Sequence, residues 1–328
     1  MNIKKAKEKQ KKITQLMMEK MERIQNSILR LKRRASVSSE TAGYFWSGLK
    51  RDTKKQYDKA SKVWTVYANA IIPLVYKTQV YDEVDRIKKI KTIMAERKIT
   101  IQALEADEIN LNSTWHKNTI AVLKNDMIVV MDTSLDEGYK MITGLMSKTQ
   151  QAVLSDSKID QLLAEGLGEK GTIQQAKNKL LAGFRAELGT DFIIKAGSKR
   201  FTLAYYAELV ARTKIREAQS WSVINTGISV GSDLVQVSSH NTTTPICIPF
   251  EGRVYSISGR DPDFPPLEDI PPYHCNGLHS LSVIFREIIE QRGLLKEYSD
   301  FAYGRSEVHP TRKSHIPISK RNIKGKAA

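Results

Sequence analysis

The chain has 328 residues, of which 41% are apolar, so a substantial core can form and there is room for two domains or one domain with extended arms. It has no unbroken apolar run long enough for a membrane helix, and its lysine-rich start lacks the apolar run of a secretory signal. Two cysteines are too few for a disulfide scaffold. The net charge of +16 is concentrated at the ends: residues 1–35 carry +9, residues 304–328 carry +6, and the body between them is nearly neutral. Basic arms of this kind either stay solvated or meet an anionic partner.

Residues 3–34 predict one amphipathic helix of about 45 Å. Its apolar stripe is Ile13, Met17, Met21, Ile24, Ile28 and Leu31, at spacings of three and four. The stripe needs a partner, either in this chain or in another protein, because helices are stabilised mainly by packing. Ser38 or Ser39 is a candidate cap for the next helix. Residues 40–155 read as a stack of helices. The apolar groups are Tyr44 to Leu49, then Trp64 to Ile72 ahead of Pro73, then Val80 to Met94, then a helix over 101–130, then Tyr139 to Met146. Their aromatic residues read as core.

Gly166, Gly168 and Gly171 interrupt the helices. The segment GLGEKG resembles a phosphate-binding glycine loop but lacks the preceding strand and the closing GK[ST]. Thr172 caps a helix that stops at Gly189, and Phe192–Ile194 predicts a short strand. Thr202 caps a strong helix whose buried side includes Leu203, Tyr206, Val210, Ala218, Trp221 and Ile224. Alternation predicts strands at 233–238 and 253–257, and a third at 281–284. The Pro-rich stretch between the last two can be neither helix nor central strand. A last helix covers 285–298, and the tail beyond it has no periodicity.

Both cysteines and three histidines fall in the block that holds VSSH, PICIPFEGRVYSISG and IPPYHCNGLHSL. Together with KAGSKRFTLAYYAELVARTKIREA before it, this block resembles the C-terminal module of tailed-phage minor head proteins, also described as phage Mu F-like or head-morphogenesis proteins. The resemblance spans roughly residues 195–285. In that family the block often reads CxxC, an EG or QG turn, a Pro-rich loop and PPxHPxCxH, which is similar to a Cys/His metal site. Here Thr244 stands where the first cysteine would be and Gly277 where the later one would be, while Cys275 occupies a usual proline position. The candidate zinc ligands are therefore Cys247, His274, Cys275 and His279, with His240 as a spare. The alternative is a structural loop held by proline packing and histidine hydrogen bonds.

The expected fold class is α+β: an extended, mainly helical N-terminal region, then a small α+β module with short antiparallel strands. The expected segments are a basic helical arm at 1–35, a helical domain at 36–198, the module at 199–285, and a helix with a basic tail at 286–328. The resemblance implies a non-enzymatic minor capsid protein of the virion, assembled in the host cytoplasm and sited in the head interior or at the portal. Its implied partners are the portal protein, scaffold or major capsid protein, and double-stranded DNA. Lys4, Lys5, Lys11, Lys12, Lys32, Arg33 and Arg34 are candidates for DNA or portal contact. Two alternatives are a non-specific DNA-binding protein and a metal-dependent nuclease. For the nuclease, the set His240, His274, Asn276 and His279 has the right residue types, but the Pro-rich loop replaces the hairpin that the chemistry needs.

Overall fold

The computed structural model describes residues 2–101, 109–164 and 171–321. Its elements, in order, are α1 (Ile3–Ser36), α2 (Gly43–Glu96), α3 (Thr114–Ala164), α4 (Gly171–Gly189), β1 (Ile194–Ala196), β2 (Lys199–Phe201), α5 (Leu203–Ser229), β3 (Leu234–Val237), β4 (Val254–Ser256), β5 (Leu281–Ile284), α6 (Arg286–Gln291) and α7 (Leu295–Ala302). The fold class is α+β, as the residue pattern predicts. The chain forms two compact units. One comprises Met1–Lys12, Asn69–Asn125 and Ala211–Ala328; the other comprises Ile13–Ala68 and Asp126–Val210. Each unit draws on separated segments because the long helices run through both.

In the second unit, α1 finds its partner inside the chain. Met17, Met21, Ile24 and Ile28 are buried, so this apolar stripe is not a free docking face. Trp64 Nε1 donates to the Met127 carbonyl at 2.9 Å, joining α2 to α3. The Tyr57 hydroxyl donates to the Ile193 carbonyl, and Ser134 Oγ donates to the Tyr206 hydroxyl at 2.7 Å. A short antiparallel hairpin pairs Ile194 with Phe201 and Ala196 with Lys199. Gly197 takes the positive φ of +58° that its two-residue turn requires. Only one strand is legible here in the sequence, because β2 is a mostly exposed KRF segment with no apolar alternation. A Cβ on Gly138 of α3 would lie 2.3 Å from the Ile193 carbonyl oxygen, so only glycine allows the hairpin this close.

The first unit is built on a three-stranded antiparallel sheet of order β4-β3-β5. Val235 of central β3 faces Tyr255 on one side and Val283 on the other. Leu234, Val254, Phe264, Ile289, Tyr298 and Ala302 form its core, so the Pro-rich loop contributes Phe264 and the two last helices cover the sheet. Edge strand β5 would expose an unpaired backbone, the usual liability of sheet edges. Buried Glu83 of α2 accepts from Val283 N at 2.7 Å, and Arg86, itself paired with Glu83 at 2.6 Å, donates to the Val283 carbonyl. A second network joins three helices: Tyr76 shares a hydrogen bond with His116 Nδ1 at 2.8 Å, and Asn225 Nδ2 donates to both the Tyr76 hydroxyl and Thr119 Oγ1.

Several local expectations are corrected. Helix α2 runs through Pro73 instead of stopping there. The missing backbone bond costs about 3 kcal/mol. Fully buried Ile71, Ile72, Val75 and Tyr76 flank the proline, and each contributes about 1.5–3 kcal/mol of burial, which outweighs that cost. Helix α3 starts at Thr114, after a turn at 111–113, and continues through the region that sequence periodicity splits in two. The part of the expected 101–130 helix at 102–108 lies outside the described residues, as do Gly166, Gly168 and most of the GLGEKG segment. The last helix is two helices. Gly293, at φ +63°, closes α6, with Gly293 N donating to Glu290 O and Leu294 N to Ile289 O. Thr202 caps α5 through Tyr205 N at 3.3 Å, whereas Ser38 accepts from Glu40 N ahead of α2 and does not cap it. Tyr44 and Trp221, read as core, are exposed.

Candidate functional site

The turn PICIPFEG puts Glu251 at the centre of a buried polar cluster in the first unit. Gly252 follows it at φ +77°, and the Glu251 side chain is 1% exposed. Burial alone would raise its pKa. The partners outweigh burial and hold it at about 2: the His279 ring, the Arg321 guanidinium, and the backbone N–H groups of His240 and Thr242. Thr242 N donates at 3.1 Å, His240 N and Arg321 Nη1 also donate to the carboxylate, and His279 Nε2 stands 3.8 Å away, beyond hydrogen-bond range.

Arg321 belongs to the basic tail. Up to this residue the tail folds onto the module instead of remaining solvated. Arg321 Nε donates to the Ile316 carbonyl at 2.7 Å, and Nη1 to the Thr242 carbonyl at 3.1 Å. Asn241, at φ +55°, donates to Ser314 O and accepts from Ile316 N, both at 2.8 Å. His309 and His315 pack with Phe301, at ring-centroid distances of 5.1 and 5.3 Å. Burial, with His315 and Arg312 nearby, lowers His309 to about 4. Burial and Arg321 also lower His315, and its Nδ1 hydrogen-bonds Ser239 Oγ at 2.9 Å. Glu251, His309, His315 and Arg321 escape a motif search. A lone glutamate in a turn and an aperiodic tail give no signal until the fold joins them across 70 residues.

The four candidate zinc ligands are placed differently from one another. Cys247 is fully buried, and burial pushes its thiol up. Cys275 is exposed. His274 accepts from Asn276 N within its own turn at 3.3 Å. His279 is buried between His240 and Tyr273, at centroid distances of 5.2 and 6.0 Å. Among the described residues no three His, Cys, Asp or Glu side chains are grouped as a metal would require. This set does not fit a tetrahedral zinc. The Pro-rich loop is fastened mainly by Arg286, which binds Asp261 at 2.6 Å and Asp263 at 2.8 Å, and by buried Phe264, with little help from the histidines.

The candidate contact residues also divide. Lys4, Lys5, Lys11, Lys12, Arg33 and Arg34 are exposed, and Arg34 lies over the Phe45 ring at 5.9 Å. Lys32 is corrected from contact residue to core: it is 1% exposed and donates to the Thr190 carbonyl at 2.5 Å and the Phe192 carbonyl at 2.9 Å. Burial lowers it to about 8. It ties α1 to the segment after α4 and cannot reach a phosphate.

A family model described as phage minor capsid protein 2 matches residues 75–263. The chain belongs to that family. The match takes in α5, Cys247 and the Glu251 turn, and ends before His274. No curated protein and no solved structure matches the chain. As a phage minor capsid protein it is a component of the virion, where it meets other structural proteins of the phage. Among the described residues no helix is long and apolar enough to cross a membrane.

Proposed function

We propose that this minor capsid protein acts in head morphogenesis, as a non-enzymatic component that associates with the portal and supports genome packaging or delivery. Family membership carries the reading, and the finer kinship with Mu F-like proteins belongs to the same proposal. Scaffold and major capsid protein are further candidate neighbours during assembly in the host cytoplasm, with the head interior or portal region as the final site. With its apolar stripe buried, α1 contributes charge instead of an apolar docking face. Lys4, Lys5, Lys11 and Lys12 are the exposed groups for an acidic protein surface or for DNA phosphates. Contact with phosphates would be independent of sequence and sensitive to salt. No metal enters the reading, because the four candidate ligands do not converge.

The test is co-expression of the full chain with the portal protein of the same phage. A stable complex is expected. Changing Lys4, Lys5, Lys11 and Lys12 together to Glu separates the two uses of the arm. If the arm meets DNA, the salt dependence of duplex binding falls by about one per lost phosphate contact; if it meets the portal, the complex weakens. Clean separation of portal and wild-type chain on gel filtration would overturn the portal reading.

A further inference from the structure

Behind the signature block lies a small cavity of about 40 Å³ that the assembly role does not use. Its polar lining comes from Gln79 on α2, Arg216, Gln219 and Ser220 on α5, and His279 and Ser280 ahead of β5. We propose that this cavity binds a small oxyanion of the phosphate class, held by Arg216 and His279 with the amide and hydroxyl groups as further donors.

The charges at the cavity point to an anion. No carboxylate lines it, and Arg216 has no ion pair among the described residues. Arg212, one turn earlier on α5, adds a second positive charge, and burial and this neighbour both disfavour the Arg216 cation as it stands. A bound anion opposes both effects by favouring the charged form. Independently, His279 is 4% exposed and neither ring nitrogen has a hydrogen-bond partner, although buried polar atoms are nearly always paired. The adjacent carboxylate is already engaged: Glu251 accepts from Arg321, His240 N and Thr242 N. The same charges argue against a cation, since a metal at His279 would share the cavity with Arg216, and the Glu251 carboxylate 3.8 Å from His279 already accepts from Arg321, His240 N and Thr242 N. The volume matches roughly three waters. That suits one tetrahedral oxyanion with its planar Arg contact, and leaves no room inside the cavity for a sugar or base.

The source of the phosphate is either the free ion or a backbone phosphate of DNA. The probe is inorganic phosphate, titrated calorimetrically into the full-length protein in chloride buffer of constant ionic strength. Saturable binding near one equivalent is expected, weakened about tenfold or more by Arg216→Gln, less by Arg216→Lys, and little by Arg212→Gln. Circular dichroism checks the fold of each variant. If Arg216→Gln does not fold, Arg216→Lys and Gln219→Leu carry the test, each weakening binding several-fold. A short DNA duplex that competes with phosphate, and loses affinity in the Arg216 variants, identifies the backbone as the source; a duplex that does not compete identifies the free ion. The site is overturned if there is no saturable uptake, if uptake is equal in wild type and the folded variants, or if zinc binds in place of phosphate and binds better once Arg216 is removed. None of these outcomes depends on the portal assay.

Discussion

Replacing Arg321 with Met tests whether the basic tail is part of the fold. The Arg321 and Glu251 side chains are 2% and 1% exposed, so the pair is shielded from water. Removing the guanidinium strands a buried carboxylate, and breaking such a pair typically costs about 3–5 kcal/mol. Glu251 keeps its two backbone donors, which places the expected loss near the lower end, at about 3 kcal/mol. Against a total of about 5–15 kcal/mol for a typical domain, the urea midpoint should fall by about 1–2 M. The double change Arg321→Met with Glu251→Gln should recover much of the loss, because the stranded charge is gone. Urea unfolding followed by circular dichroism reads both. In parallel, limited trypsin digestion should cut faster after Arg312 and Lys313 in the single variant. A single variant within about 0.5 kcal/mol of wild type, or a double variant no better than the single, would refute a seated tail.

Acidification should loosen the same region in two stages. His309 falls from 6.5 to about 4 in the fold, so the unfolded chain takes up the proton first. Its contribution is complete above about pH 6.5 and is lost down to about pH 4. The loss amounts to about 1–2 kcal/mol once partial exposure of the ring is allowed for. Glu251, lowered from 4.5 to about 2, adds stability that is present above about pH 4.5 and lost as pH falls towards 2. Thermal melts from pH 8 to 3 should decline from about pH 6.5, and His309→Phe should flatten the first stage. In the other unit, Gly138→Ala should destabilise by about 1–3 kcal/mol through overpacking against the Ile193 carbonyl; a melting temperature unchanged from wild type would mean the hairpin sits further from α3.

Much of the fold is legible in the residue pattern because it depends on local periodicity. The three strands of the sheet, the cap at Thr202 and the amphipathic character of α1 all follow from spacing within one element. Breaks and continuities are harder to read. Pro73 and Gly293 are both helix breakers by type, yet burial on both sides carries α2 through Pro73, whereas Gly293 ends α6 in a left-handed cap. The site is legible as a cluster of cysteines and histidines, but not as the arrangement those residues adopt. Cys275 faces solvent, and His279 stands 3.8 Å from Glu251 and lines a cavity with Arg216.

By itself, the sequence determined the fold class, the strands of the C-terminal sheet, the concentration of positive charge at the ends, and a kinship that the family match supports. Each is written in residue types at short range. The tertiary structure alone decided that the stripe of α1 is covered within the chain, that Lys32 serves the core, and that the C-terminal tail locks onto Glu251. Those outcomes depend on which side chains lose contact with water together, and residues far apart in the chain settle that only when the core closes around them.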